Sequence, residues 1–181
     1  MQKFTRLHMP EKIKYMLPIF ALIYLNSFGQ DVFEAARKGN ISRMETLLKL
    51  NPDTLSSHNE NGFTPLIIAV YRNQAKVTEY LLLHKVNVNT SSPEGPALLG
   101  ASYKGNIELA ELLLQYGADV NICNETGTSA LMYAALSNNL ALAKLLLKNG
   151  AKKNLVEKSG KTALDYAKIR ESPEMISLLS E

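Results

Sequence analysis

The chain reads as an all-α solenoid: short antiparallel helix pairs stacked in series, with short β-hairpin or loop fingers between them. Three columns of residues predict this class. An apolar residue recurs at Val32, Leu66, Leu98, Leu131 and Leu164, at intervals of 34, 32, 33 and 33 residues. An alanine stands three positions after each, at Ala35, Ala69, Ala101, Ala134 and Ala167. A residue suited to a tight or left-handed turn stands seven after the first four, at Gly39, Asn73, Gly105 and Asn138. Columns that agree on one register at a fixed period mark a repeat architecture, because one such unit cannot close a core alone and must share it with its neighbours.

Each unit then resolves into two helices. Thr64 is placed to cap a first helix whose opening position is Pro65, where a missing N–H is harmless, and Ser129 and Thr162 repeat the cap. The second helices carry Met44 with Leu47 and Leu48, Val77 with Leu81 and Leu82, Leu109 with Leu113 and Leu114, and Leu142 with Leu146 and Leu147, all at helical spacing. Gly117 and Gly150 suit a left-handed residue after the second helix. Asn51 and Lys85 hold the equivalent positions, and a positive φ at Lys85 implies strain. The third unit departs from the others: it is one residue short between Gly95 and Leu98, and Pro96 stands where a capping Thr belongs. Loss of such a cap costs about 1 kcal/mol. Residues 90–98, polar and turn-rich from Thr90 through Pro93 to Gly95, are thus the expected weak point of the stack.

The segments Gly62-Phe63-Thr64-Pro65-Leu66, Leu81-Leu82, Gly117-Ala118-Asp119-Val120-Asn121 and Gly150-Ala151 with Asn154 resemble the ankyrin repeat. The resemblance recurs in register over about 150 of the 181 residues. It implies an ankyrin repeat solenoid of about five units over residues 30–181, the first and last acting as caps. It also implies a concave face, built from the fingers and the exposed ends of the first helices, that binds other proteins. The family's His after Thr-Pro-Leu is replaced by Ile67, Leu99, Met132 and Asp165, so the polar link that this His makes between repeats is expected to be missing.

The first residues follow a different plan. Lys3, Arg6, Lys12 and Lys14 precede an apolar run from Tyr15 to Leu25, and Ser27 and Gly29 flank Phe28 ahead of Gln30. This layout predicts a signal peptide over residues 1–29, and with it export to a periplasmic or secreted location. An eleven-residue apolar run is short against the roughly 20 residues of a membrane-spanning helix, although an uncleaved anchor or a helix packed on the first repeat would use the same residues. Cleavage would remove four of the 20 Lys/Arg and one of the 17 Asp/Glu, leaving 16 of each sign. The formal charge of +3 thus belongs to the whole chain and falls to zero in residues 30–181, which gives no support to nucleic-acid binding.

Chemistry-bearing constellations are sparse. His58 and His84 fall in different parts of the repeat frame, and the sequence has no His-Glu-x-x-His, paired Cys or Gly-x-Ser-x-Gly pattern. No metal or cofactor is implied. Cys123, the sole cysteine, excludes an intrachain disulfide; it supplies the one alternative to a non-enzymatic reading, a redox or enzymatic role for its thiol. Similarity to exported ankyrin proteins suggests support of an envelope enzyme, such as one of peroxide defence, by analogy alone.

The surface carries the functional expectation. Six positions after each opening apolar residue stand Lys38, Arg72, Lys104, Ser137 and Arg170, four of them basic. One position earlier stand Arg37, Tyr71, Tyr103, Leu136 and Ile169. Units stacked about 10 Å apart let such charges act together on an approaching acidic protein surface, since the Debye length is similar. Tyrosine and arginine are also enriched at binding hot spots. The expected contact set is Arg37, Lys38, Phe63, Tyr71, Arg72, Tyr103, Lys104 and Leu136 on a monomer, with Phe63 as an exposed fingertip anchor. His58, Glu60, Asn61, Glu125, Thr126 and Thr128 are expected to complete that face.

Overall fold

A computed structural model describes residues 31–180 of the chain. The predicted signal segment lies outside the described residues. Helix α1 occupies residues 31–38, and α2 (Ile41–Leu50) completes the first pair. The later pairs are α3 (Pro65–Tyr71) with α4 (Ala75–Leu83), α5 (Ala97–Lys104) with α6 (Ile107–Gln115), α7 (Ala130–Leu136) with α8 (Leu140–Lys148), and α9 (Ala163–Ile169) with α10 (Pro173–Ser180). First helices pack on first helices, α3 on α5, α5 on α7 and α7 on α9; second helices form a parallel row, α2 on α4, α4 on α6 and α6 on α8. The all-helical solenoid predicted from the columns is thus the observed architecture.

The helices start where their sequence dictates. Thr64 accepts a hydrogen bond from the Ile67 N–H and Ser129 accepts one from the Met132 N–H, each satisfying an orphan donor of the first turn. At Thr162 the cap is reciprocal: Asp165 N–H donates to the Thr162 hydroxyl, and the Thr162 N–H donates back to the Asp165 carboxylate at 2.9 Å. Met132 plays a weaker version of the same part, its sulfur accepting from the Ser129 N–H at 3.4 Å. The second helices α2, α6 and α8 are capped by Asn40, Asn106 and Asn139.

The apolar columns form one continuous core. Leu98 and Leu99 on α5, Leu113 on α6 and Leu146 on α8 are wholly buried, as are Ala69, Ala101, Ala134 and Ala167, whose small side chains let neighbouring first helices approach closely. The fingers are hydrogen-bonded loops rather than strands: Asn59 N–H donates to the Phe63 carbonyl, and Asn124 and Glu157 do the same toward Thr128 and Lys161. Among the described residues the sole β-bridge joins Ser92 and Gly95.

Three expectations need correction. Asn51 is extended (φ −146°) rather than left-handed, because it precedes Pro52; it caps a short 3₁₀ turn, Pro52–Ser56, by accepting from the Asp53 N–H. The expected weak point at residues 90–98 is only half present. Pro96 indeed gives α5 no side-chain cap, but Ser92 is buried and its hydroxyl donates to the Gly95 carbonyl at 3.0 Å. The Pro93 carbonyl also accepts from the Glu125 N–H of the next finger, which ties the short loop to its neighbour.

Polar links between repeats are present too, made by amides instead of histidines. Asn89 donates to the Gly117 carbonyl and accepts from the Asp119 N–H at 2.8 Å. Asn121 repeats both bonds one unit on, toward Gly150 and Lys152. A second series runs at the starts of the second helices, from Gln74 to the Arg37 carbonyl, Asn106 to the Asn73 amide and Asn139 to the Gly105 carbonyl. Each side chain bridges one unit to the next.

Candidate partner-binding groove

The ends of the first helices and the first finger enclose a groove of about 480 Å³. It is lined by Arg37, Asn59, Asn61, Phe63, Ile68, Tyr71, Arg72, Glu94, Tyr103 and Tyr133. Repeat geometry explains the assembly: Tyr71 and Tyr103 end successive first helices one unit apart, so their rings fall side by side. The rings are ordered by contact. Phe63 meets Tyr71 edge to face at 6.4 Å, and Tyr103 meets Tyr133 in the same manner at 5.5 Å.

Five of the eight contact residues expected from sequence line this groove: Arg37, Phe63, Tyr71, Arg72 and Tyr103. Lys104 stands beside it, its ammonium 5.7 Å from the centre of the Tyr103 ring. Leu136 is exposed but lies outside the lining, and so does Lys38. Phe63 is not the exposed fingertip anticipated. It is half-buried and packs against the core, because the Asn59 side chain accepts from the Phe63 N–H and folds the finger back. Of the remaining finger residues only Asn61 reaches the groove. Thr126 and Thr128 instead bond to the Asn124 side chain and to each other, while His58, Glu60 and Glu125 do not line the groove.

The electrostatics differ from a simple basic column. Glu34 pairs with both Arg37 and Lys38, the latter at 2.9 Å, so part of the positive charge at the end of α1 is offset locally. Arg72 and Lys104 have no ion-pair partner among the described residues. Glu94 adds an acidic group to the lining. Burial, helped by the Glu94 charge, pushes the Tyr71 phenol up to about 12, and the same two causes raise Tyr133.

Sequence reasoning missed Tyr133, Glu94, Asn59 and Ile68. A signal for Tyr133 existed in the column two positions after the opening residue, which reads Glu34, Ile68, Gly100, Tyr133 and Tyr166. Gly100 in that column also matters: a Cβ there would lie 2.9 Å from the Tyr71 ring, so the glycine leaves room for the ring to lie across α5. Glu94 had no such signal, since it falls in the one loop that is shorter than the period requires.

Other chemistry is weakly supported. Cys123 is half-buried, its thiol donates to the Asn121 carbonyl at 3.6 Å, and burial pushes its pKa up, opposite to the shift that activates a thiolate. His84 packs against the Tyr80 ring at a 38° tilt and bonds to the Tyr80 carbonyl, and no group of three His, Cys, Asp or Glu converges among the described residues. No helix of the described residues is long and apolar enough to cross a membrane.

A family model described as ankyrin repeats (3 copies) matches residues 32–124 and 98–181. The chain is 31% identical over 102 residues to ankyrin repeat and SAM domain-containing protein 6 of Rattus norvegicus, covering 55% of this chain and 12% of that protein. It is 40% identical over 68 residues to the Notch-regulated ankyrin repeat-containing protein of Xenopus tropicalis, covering 35% of this chain and 60% of that one. The human Notch-regulated ankyrin repeat-containing protein is 48% identical over 46 residues, with 25% and 40% covered. The match therefore spans less than two thirds of each relative's length. Helix pairs in register, amide links between units and these likenesses converge: the chain belongs to the ankyrin-repeat family of protein–protein interaction modules.

Proposed function

We propose that the chain is a non-enzymatic docking module that binds one protein partner through the groove between the ends of α3 and α5 and Tyr133 of α7, with Arg72 and Lys104 attracting acidic groups on that partner. The observation that carries the reading is the coincidence of unpaired cations with aromatic rings at one concave place, the composition typical of binding hot spots. Rings held on helices by packing lose little conformational freedom on binding, so a modest groove can give useful affinity. The experiment is the double reversal Arg72→Glu with Lys104→Glu. It is expected to weaken binding and flatten its salt dependence while stability stays within about 0.5 kcal/mol, because both residues are exposed. Unchanged affinity at low salt would reduce the basic column to a solvated face.

Export belongs to the same proposal. The basic start, the apolar run from Tyr15 to Leu25 and the Ser27–Gly29 pair support a signal peptide, and a near-neutral residue 30–181 module then acts as a monomer in a periplasmic or secreted setting, in support of an envelope enzyme. Intact-mass analysis of the native protein is expected to find a chain beginning at Gln30. Full-length chain recovered from the cytoplasm would contradict export.

A further inference from the structure

The groove contains a charge that a partner of purely acidic surface would not explain. Glu94 is exposed, it lines the groove, and no Lys or Arg pairs with it among the described residues. Its carboxylate lies near enough to Tyr71 and Tyr133 to act on both phenols. Three rings, Tyr71, Tyr103 and Tyr133, share the lining with it, and the Lys104 ammonium already stands over Tyr103 from outside. The ring system is therefore suited to a cation, and no cation among the described residues, Arg72 of the same lining included, is paired with Glu94.

We propose that the groove seats an arginine side chain of the partner's docking segment against Tyr71, Tyr103 and Tyr133, with the Glu94 carboxylate as its counter-ion. This inference rests on the reading of the groove as the docking surface and deepens it. A guanidinium suits the place better than an ammonium: it is planar, stacks on aromatic faces, is more weakly hydrated and pairs with a carboxylate through two parallel hydrogen bonds. Burial raises the Tyr71 and Tyr133 phenols, so these two walls carry no charge near neutral pH. Of the two arginines in the lining, Arg37 is held by Glu34, which leaves Arg72 as the local repulsion. An acidic residue near the arginine in the same segment answers Arg72, so the docking segment carries both signs within a few residues. Gly100 is part of the design, since a side chain there would push the Tyr71 ring off α5.

The test uses the full chain and a phage-displayed library of random heptapeptides. Wild type is expected to enrich peptides with arginine at one fixed position beside an acidic residue. Glu94→Gln and Tyr103→Ala, both at exposed positions, are each expected to bind those peptides about tenfold more weakly with unchanged circular dichroism. Peptides that need Tyr103 but carry no arginine, or bind Glu94→Gln as well as wild type, would overturn the arginine seat and leave the docking groove standing. Failure to enrich any peptide sensitive to Tyr103→Ala or to the Arg72/Lys104 reversal would overturn both.

Discussion

Lys85 holds φ at +57° after α4, in the place that Gly117 and Gly150 take after α6 and α8. A side chain in the left-handed region costs about 1–2 kcal/mol, offset in part by the greater chain entropy that a glycine loses on folding. Lys85→Gly is thus expected to raise stability by about 0.5–1 kcal/mol in urea denaturation. No gain would mean that the left-handed turn carries no strain there. The sequence columns exposed this position because a fixed period lets one residue be judged against its counterparts. The same logic reached Arg72, Tyr71 and Tyr103, each defined by its offset from an opening leucine. It failed at Phe63, whose side chain is set by the Asn59 hydrogen bonds of an irregular loop and not by the period. Glu171, left-handed at φ +51°, shows that the turn column extends to the fifth unit despite an unpromising residue type.

At the scale of the element, the last unit depends on two carboxylates. Hydrogen bonds from the Thr162 hydroxyl and N–H hold Asp165 below its ordinary pKa, and those from the Ser159 and Tyr166 hydroxyls do the same for Glu157. A depressed folded pKa means that the unfolded chain binds more protons between the two values. The stabilisation is therefore present above the ordinary carboxylate pKa of about 4 and is lost as pH falls below it. Melting of the α9–α10 unit is expected to move to lower temperature on acidification from about pH 6 to about pH 3, and Asp165→Asn is expected to flatten that dependence. Equal pH slopes in the two proteins would contradict the account. Helix pairs, the Thr64, Ser129 and Thr162 caps and the core were legible because they follow from local rules. The amide links from Asn89 and Asn121 were not, because a side chain reaching a backbone 28 to 31 residues away becomes visible only when units are stacked.

At the scale of the whole molecule, residues 31–180 form a row of similar interfaces, with a core shared between neighbours and a groove that exists only because three successive first helices lie side by side. The proposed docking function is accordingly a property of the stack. No single unit holds the site: Phe63, Tyr71 and Arg72 come from the second, Glu94 and Tyr103 from the third, and Tyr133 from the fourth. The central claim, that the partner docks in this groove, is tested most directly by site-specific photo-crosslinking in the native host, with p-benzoylphenylalanine in place of Tyr103 or of Leu83, an exposed residue of α4 outside the groove. The account predicts a discrete cross-linked partner from position 103 that disappears with Arg72→Glu and Lys104→Glu, and none from position 83. Capture of the partner from position 83 with none from position 103 would contradict it.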